Sequence, residues 1–394
     1  MSKGIWPLKK LENLSIKPIS YGIVQTGEGI KDGIPCVRVI DLANRLIDVS
    51  RMITTTEEIS NSYKRTILEK DELLIALRGE IGLAKLADSK LIGCNLTRGI
   101  ARISPNRKII DPRYLLWAIR SDHVRGDLLR RVNGSALQEI PIKELRKVLV
   151  PVPALEDQRR IVEVLEAWDS AIALTEQLIT AKQKLKKNIS QVLFESLPCE
   201  SIKVKNICSS IVPARNKPKK FDGDIPWITT VDLEDEFWVE KSKLNLAVSR
   251  QELNSIKGKT VPSNTVIMTC VGKFGIVAVA ARELVINQQL HGFVCGGEVI
   301  PEYLCWALRS KEKEMLAIAG QTTVSYLNSS KCESISVKLP SISIQKRIVE
   351  ILGNAQDEIN SLMKYRKKLQ RQKQGLMQKL LTGEWRVPVD EVAA

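Results

Sequence analysis

Only two histidines, His123 and His291, occur in 394 residues, and none of the eight cysteines forms a Cys-x-x-Cys pair. Zinc requires clustered ligands, so the cysteines read as reduced, mostly buried thiols and no metal site is expected. No run of eighteen apolar residues exists, which leaves no candidate transmembrane helix and no expected membrane partner. The opening Met1-Ser2-Lys3-Gly4 leads into a polar segment with no apolar signal core, so the expectation is a cytoplasmic protein without disulfides. Catalytic motifs are missing too. Gly27-Glu28-Gly29 is followed by Asp32 where a dinucleotide-binding turn needs glycine, and Gly258-Lys259-Thr260 has Leu253 where a phosphate loop needs one. No Asn-Pro-Pro-Tyr or Asp-Pro-Pro-Tyr is present to hold a flipped base for amino methylation. No catalytic residue is therefore expected. The alternative is an enzyme with a DNA methyltransferase or nuclease site that these motifs do not reveal.

What the chain does have is charge and a repeat. Its net charge is +15, with 60 basic against 45 acidic residues, which points to a polyanionic partner, nucleic acid first. Residues 1–150 hold 26 basic and 17 acidic residues, so the excess lies in a globular half and not in a tail. The repeat is written along the whole chain. Residues 34–42, Ile-Pro-Cys-Val-Arg-Val-Ile-Asp-Leu, are answered by residues 225–233, Ile-Pro-Trp-Ile-Thr-Thr-Val-Asp-Leu. Arg78-Gly79-Glu80-Ile81-Gly82 is answered by Val271-Gly272-Lys273-Phe274-Gly275, and Asn95 by Asn287. The helix-forming stretch from Tyr114 to Ser121, with Trp117, is answered by Tyr303 to Ser310, with Trp306. A duplicated unit of this length predicts a two-fold pseudosymmetric protein.

Two kinds of segment alternate. Residues 1–152 and 198–340 carry short β-rich runs broken by turn signals, each with one helical stretch, Pro112 to Arg125 and Pro301 to Leu316, opened by a proline. These read as mixed α+β domains. Residues 153–197 and 341–384 read as helical spacers, with a tail at 385–394. In the second spacer Ile348, Leu352, Ala355, Ile359, Leu362, Arg366, Leu369, Lys373, Leu376 and Leu380 step by fours and threes, a heptad seam. The first spacer gives Ile161, Leu165, Trp168, Ile172, Thr175 and Ile179, then slips to Leu185, Ile189 and Val192. Charge sets the pairing direction. Residues 156–176 carry a net of −4 and 177–195 a net of +3, against −1 for 346–363 and +6 for 364–384. Antiparallel pairing sets −4 against +6, whereas parallel pairing sets +3 against +6 and is repulsive. The expectation is an antiparallel coiled coil, ~60 Å long, holding two similar domains at its ends and bounding a two-part target at under about twenty base pairs.

Loop chemistry supplies the candidate DNA contacts, because Arg, Lys, Asn and Gln read base edges while Ser, Thr and Lys hold phosphates. In the first copy these are Arg38, Arg78, Thr97, Arg98, Ser135 and Gln138. In the second they are Arg215, Lys217, Lys219, Lys220, Thr229, Thr230, Lys273, Gln288, His291, Thr322 and Ser325. Position-matched loop residues differ between the copies while Pro35/Pro226, Asp41/Asp232, Gly79/Gly272 and Trp117/Trp306 agree. Asp41 and Asp232 lie in separate copies and read as capping residues, not as a catalytic pair.

Those two Ile-Pro strands and Gly-x-x-Gly turns, with Val152-Pro153-Ala154-Leu155-Glu156-Asp157-Gln158 and Leu339-Pro340-Ser341-Ile342-Ser343-Ile344-Gln345 opening the spacers, resemble the specificity subunits of type I restriction-modification enzymes. Gly375 to Gly383 is similar to that family's closing motif, although Trp6 has no counterpart near Ser201-Ile202-Lys203. The resemblance spans essentially the whole chain. It implies two target-recognition domains that read the halves of a split double-stranded DNA sequence, and helices that recruit two methyltransferase subunits. Restriction subunits with translocase and nuclease activity join through those. It further implies that S-adenosylmethionine, ATP and magnesium serve the partner subunits, with no cofactor on this chain.

Overall fold

The structure is a computed structural model that describes residues 6–44, 47–134, 138–234, 236–319 and 325–388. It divides into two compact units, one of residues 1–175 with 365–394 and one of residues 176–364.

Unit 1 contains a four-stranded antiparallel sheet in the order Ser20–Tyr21, Ile100–Ile103, Leu73–Ala76, Ala84–Leu86. A second sheet places Ile34–Val37 between the antiparallel Ile53–Thr55 and the parallel Asn95–Leu96. Leu8–Lys10 pairs with Leu149–Pro151. Leu73, Leu74, Ile75 and Ala76 are all fully buried because the strand is covered on both faces: Leu73 and Ile75 join one apolar cluster, Leu74 and Ala76 another. The first cluster takes in helix Pro112–Arg120 and, from the two spacers, Ile161, Val162, Leu165, Leu380 and Leu381.

Unit 2 repeats this plan. Its large sheet has five strands, Cys208–Ile211, Leu290–Cys295, Val266–Thr269, Val277–Ala280 and Trp238–Val239, the last pair parallel. Ile225–Ile228 lies between antiparallel Ala247–Val248 and parallel Val285–Ile286. Ser201–Lys203 pairs with Ser336–Lys338, so the first strand of the second copy forms without a counterpart of Trp6. The helical stretches are shorter than the sequence suggests. Each breaks into two, Pro112–Arg120 with Asp122–Arg130 and Pro301–Arg309 with Glu312–Ala319. At the first break Ser121 is extended and its hydroxyl accepts the Val124 N–H, capping a new helix instead of continuing the old one.

The spacers are two uninterrupted helices, Leu155–Glu195 and Ile342–Thr382. Within each unit they run antiparallel. In unit 2 Lys182 pairs with Glu358 at 2.7 Å and Lys186 Nζ donates to Gln356 Oε1, so numbers rise on one helix as they fall on the other. In unit 1 Lys373 pairs with Asp169, and Leu380 shares a cluster with Ile161. Ile161, Leu165, Ile179, Ile348, Leu352, Ile359, Leu369 and Leu380 are buried, and Trp168, Ile172, Leu362 and Leu376 half-buried. Leu185 and Val192 are exposed, contrary to the heptad reading. Lys182, Lys186, Ile189 and Leu193 occupy the inward places, with the Lys182 ammonium paired to Glu358 and the Lys186 ammonium donating to the Gln356 amide.

One repeated device joins each domain to its helix. Gln158 is fully buried; its Oε1 accepts the Asp111 N–H at 2.8 Å and its Nε2 donates to the carbonyls of Ile109 and Pro153. Gln345 does the same with the Ile300 N–H and the carbonyls of Glu298 and Pro340, each at 2.9 Å. In unit 1 the C-terminal helix closes at Gly383, whose φ of +79° suits a glycine cap. A Cβ there would lie 2.9 Å from the ring of Trp6, whose Nε1 donates to the Leu380 carbonyl. Among the described residues no helix is long and apolar enough to cross a membrane.

Candidate nucleic-acid interface

The strand Ile34–Val37 and its copy Ile225–Ile228 each run straight into a one-turn helix, Val39–Ala43 and Thr230–Leu233. Both turns are closed by a capping box. Asp41 Oδ2 accepts the Arg38 N–H at 2.8 Å, and Asp232 Oδ2 accepts the Thr229 N–H at 2.7 Å. The two aspartates are thereby structural, as capping residues. Each parallel neighbour strand ends beside its turn, and this delivers loop side chains to one place.

In unit 1 that place gathers the first-copy candidates. The Thr97 N–H and hydroxyl both donate to the Val37 carbonyl, which fixes Thr97 next to Arg38 and leaves the Arg98 side chain exposed. Arg78 follows, because a Cβ on Gly99 would touch both Val39 and the Arg78 stem. The Gly-x-x-Gly turn behind it is left-handed at both glycines, with φ of +67° at Gly79 and +82° at Gly82. Arg78 pairs with Glu139 at 3.2 Å, which brings the exposed Gln138 alongside. Arg38 is half committed already, since its guanidinium holds Asp41 at 2.9 and 3.1 Å, and that bond raises its pKa further above the ordinary value. Arg98 and Gln138 are therefore the freest readers of this copy. Ser135 lies outside the described residues.

In unit 2 Thr230 donates to Gln289 at 3.3 Å, and Gln288 Nε2 donates to the Ala214 carbonyl at 2.8 Å. That tether anchors the exposed basic loop carrying Arg215, Lys217, Lys219 and Lys220 beside the Thr229 turn. Lys217 lies 6.0 Å over Phe221, which packs edge-on against the buried Trp227, so one end of the loop is fastened to the core. Ser325 accepts the Gly272 N–H through its carbonyl and stands at the second Gly-x-x-Gly turn. Lys273 belongs elsewhere: it is exposed and lines a cleft with Lys186 and Arg309. Thr322 lies outside the described residues.

His291 is removed from the candidate surface. It sits on the strand Leu290–Cys295 with 2% of its surface exposed, its Nε2 3.1 Å from Ser210 Oγ and its ring 4.6 Å from Phe293. Burial lowers its pKa to about 4. A neutral ring enclosed in a sheet cannot meet a phosphate or a base. Conversely, the sequence reading passed over Ile40 and its copy Val231. Each is exposed at the capped turn itself, 67% and 50%, where a β-branched side chain can meet a thymine methyl. The signal was available, since a β-branched residue immediately precedes the capping aspartate in both copies.

A family model described as the type I restriction modification DNA specificity domain matches residues 25–183 and again 199–371. The chain belongs to that family. Its two matches bracket the two repeats, so each unit carries one copy of the family's domain. The chain is 30% identical over 209 residues to the EcoBI specificity subunit of Escherichia coli, covering 53% of this chain and 39% of that one. It is 24% identical to the putative MjaX specificity subunit of Methanocaldococcus jannaschii, covering 97% of this chain and 94% of the relative. Among solved structures, an HsdS subunit from Thermoanaerobacter tengcongensis aligns over 98% of both chains at 17% identity and a TM-score of 0.52. A chain from a study of type I restriction-modification complex assembly and conformational transition aligns over 96% of this chain and 98% of that one, at 17% identity and a TM-score of 0.64. Family members thus share this fold at low identity.

Proposed function

We propose that this chain is the non-catalytic, DNA-reading specificity subunit of a type I restriction-modification assembly. Each domain reads one half of a two-part double-stranded target. The helix pair recruits two methyltransferase subunits, and restriction subunits join through them. One observation supports this reading most strongly. The two copies hold the same capped turn, Asp41 and Asp232, but present different side chains around it, Arg38, Thr97 and Arg98 against Thr229, Thr230 and Gln288. A shared frame with different loop chemistry is what two readers of two different half-sequences require.

The chemistry belongs to the partners, which use S-adenosylmethionine to methylate and ATP with magnesium to translocate and cut. This chain supplies positioning. Its lysine-rich loop takes phosphates and fixes register, while Arg98, Gln138, Thr230 and Ile40 face base edges. The test is selection of bound duplexes from a random two-part library with the methyltransferase present, followed by methylation of the selected sites. Enrichment of one split motif is expected. Sequence-blind binding at every salt concentration, or methyl transfer by the isolated chain with S-adenosylmethionine, would overturn the proposal.

A further inference from the structure

Each domain sets two cations against a tryptophan ring, one of its own and one from a spacer helix. In unit 1 Arg120 lies 5.6 Å and Lys373 4.4 Å from the Trp117 ring. In unit 2 Arg309 and Lys186 each lie 5.2 Å from the Trp306 ring. Counted from the starts of the two 41-residue helices, Lys186 stands where Lys373 stands, and Gln356 where Asp169 stands. In the paired turns Lys273 stands where Glu80 stands. Both carboxylates of the first copy have thus become an amide and an ammonium in the second.

The consequence is electrostatic. Lys373 is paired with Asp169, but among the described residues no carboxylate lies within ion-pair distance of Lys186, Lys273 or Arg309. These three line a cleft of about 380 Å³ with Gln356 and Asn360, and among the described residues Glu234 is the one acidic residue lining it. Arg309 spends Nε on the Val277 carbonyl and Nη2 on the Glu236 carbonyl, which holds the guanidinium in place and leaves Nη1 for a ligand. Burial, and then the charge of Arg309, hold the Lys186 ammonium below its ordinary pKa; an oxyanion between the two cations offsets both effects.

We propose that this cleft in unit 2 binds a phosphate oxyanion and that the matching place in unit 1 does not. Three cations lining it from a helix, a turn and a spacer suit a tetrahedral anion with several acceptor oxygens, while Gln356, which accepts from Lys186 and donates to Asn360, holds the Lys186 ammonium in place. The source is either a backbone phosphate of duplex DNA or a free phosphate.

The experiment is equilibrium dialysis of inorganic phosphate against the full chain at constant ionic strength. One site per chain is expected. Lys273→Glu with Gln356→Asp, which restores the first copy's carboxylates, should weaken binding at least tenfold while circular dichroism stays unchanged. Glu80→Lys with Asp169→Gln should add a second site. A duplex arm separates the sources. If the backbone is the source, the first double variant lowers the salt slope of duplex binding by about one to two, and phosphate competes with the duplex. If a free phosphate is the source, duplex affinity stays within about twofold while phosphate binding alone falls. No phosphate binding by the unaltered chain, undiminished binding by the first double variant, or displacement by a Glu-rich peptide at lower concentration than phosphate overturns the proposal.

Discussion

Replacing Gln345 with leucine tests how the second domain is fastened to its helix. The side chain is fully buried and serves three backbone groups, the Ile300 N–H and the carbonyls of Glu298 and Pro340. Leucine fills the volume but serves none of them. Glu298 is exposed, so water can take over its carbonyl. The Ile300 N–H and the buried Pro340 carbonyl are left, at about 1–3 kcal/mol each. A loss of about 3 kcal/mol is expected, which in a unit of this size lowers Tm by about 9 °C. Gln345→Glu should be as harmful at neutral pH, because a carboxylate oxygen then faces two carbonyls. The assay is urea unfolding with hydrogen exchange resolved along the chain, since two units need not unfold together. Exchange should accelerate around helix Pro301–Arg309 and leave unit 1 unchanged. A Gln345→Leu variant within about 0.5 kcal/mol of the parent would refute the reasoning, and so would equal acceleration in both units.

Arg102→Leu should cost about 3 kcal/mol in urea unfolding, because it removes the buried cation 2.7 Å from the buried Glu72 carboxylate and leaves it Lys17 at 3.6 Å; adding Glu72→Leu should recover part of the loss. Gly383→Ala should destabilise unit 1 by about 2 kcal/mol, read as faster exchange in the last turn of the C-terminal helix, since a Cβ meets both a left-handed backbone and the Trp6 ring. His291 binds its proton more weakly folded than unfolded. Stability should therefore fall as pH drops through 6.5 toward about 4, by about 3 kcal/mol in all, and His291→Gln should flatten that acid limb in pH-dependent unfolding. Lys217→Ala, Lys219→Ala and Lys220→Ala together should reduce the salt slope of duplex binding by about one per lysine that meets a phosphate, without changing the preferred sequence.

Much of the fold was legible because duplication states each element twice and the helices obey one period. The second helix's seam could be read as far as Leu380, including Arg366 and Lys373. The first helix misled at Leu185 and Val192, where its inward places are held by Lys182 and Lys186. Such lysines look like surface until the partner's Glu358 and Gln356 are in position. The break at Ser121 was hidden because one hydroxyl decides between continuing a helix and capping another. Loop chemistry was the least legible part. Whether Arg38 or Thr97 is free depends on a bond to Asp41 or to the Val37 carbonyl, and His291 reads as a loop residue until its strand is flanked on both sides. Nothing local in the sequence announces such partners.

Unit 1 is assembled from the two ends of the chain, whereas unit 2 is one continuous stretch. During synthesis, residues 176–364 can collapse as soon as they emerge. The first domain meanwhile has made its strands and packed them on Ile161 and Leu165, but it lacks the part of its core that Leu380 and Leu381 supply and the carbonyl that receives Trp6. Leu380, Leu381 and Gly383 arrive last, at about 5–20 residues per second, and only then is that apolar surface covered. A stop codon past Lys364 in the final helix would thus leave the second domain intact and uncover part of the core of the first, which marks the shortened chain for removal before it can engage a partner.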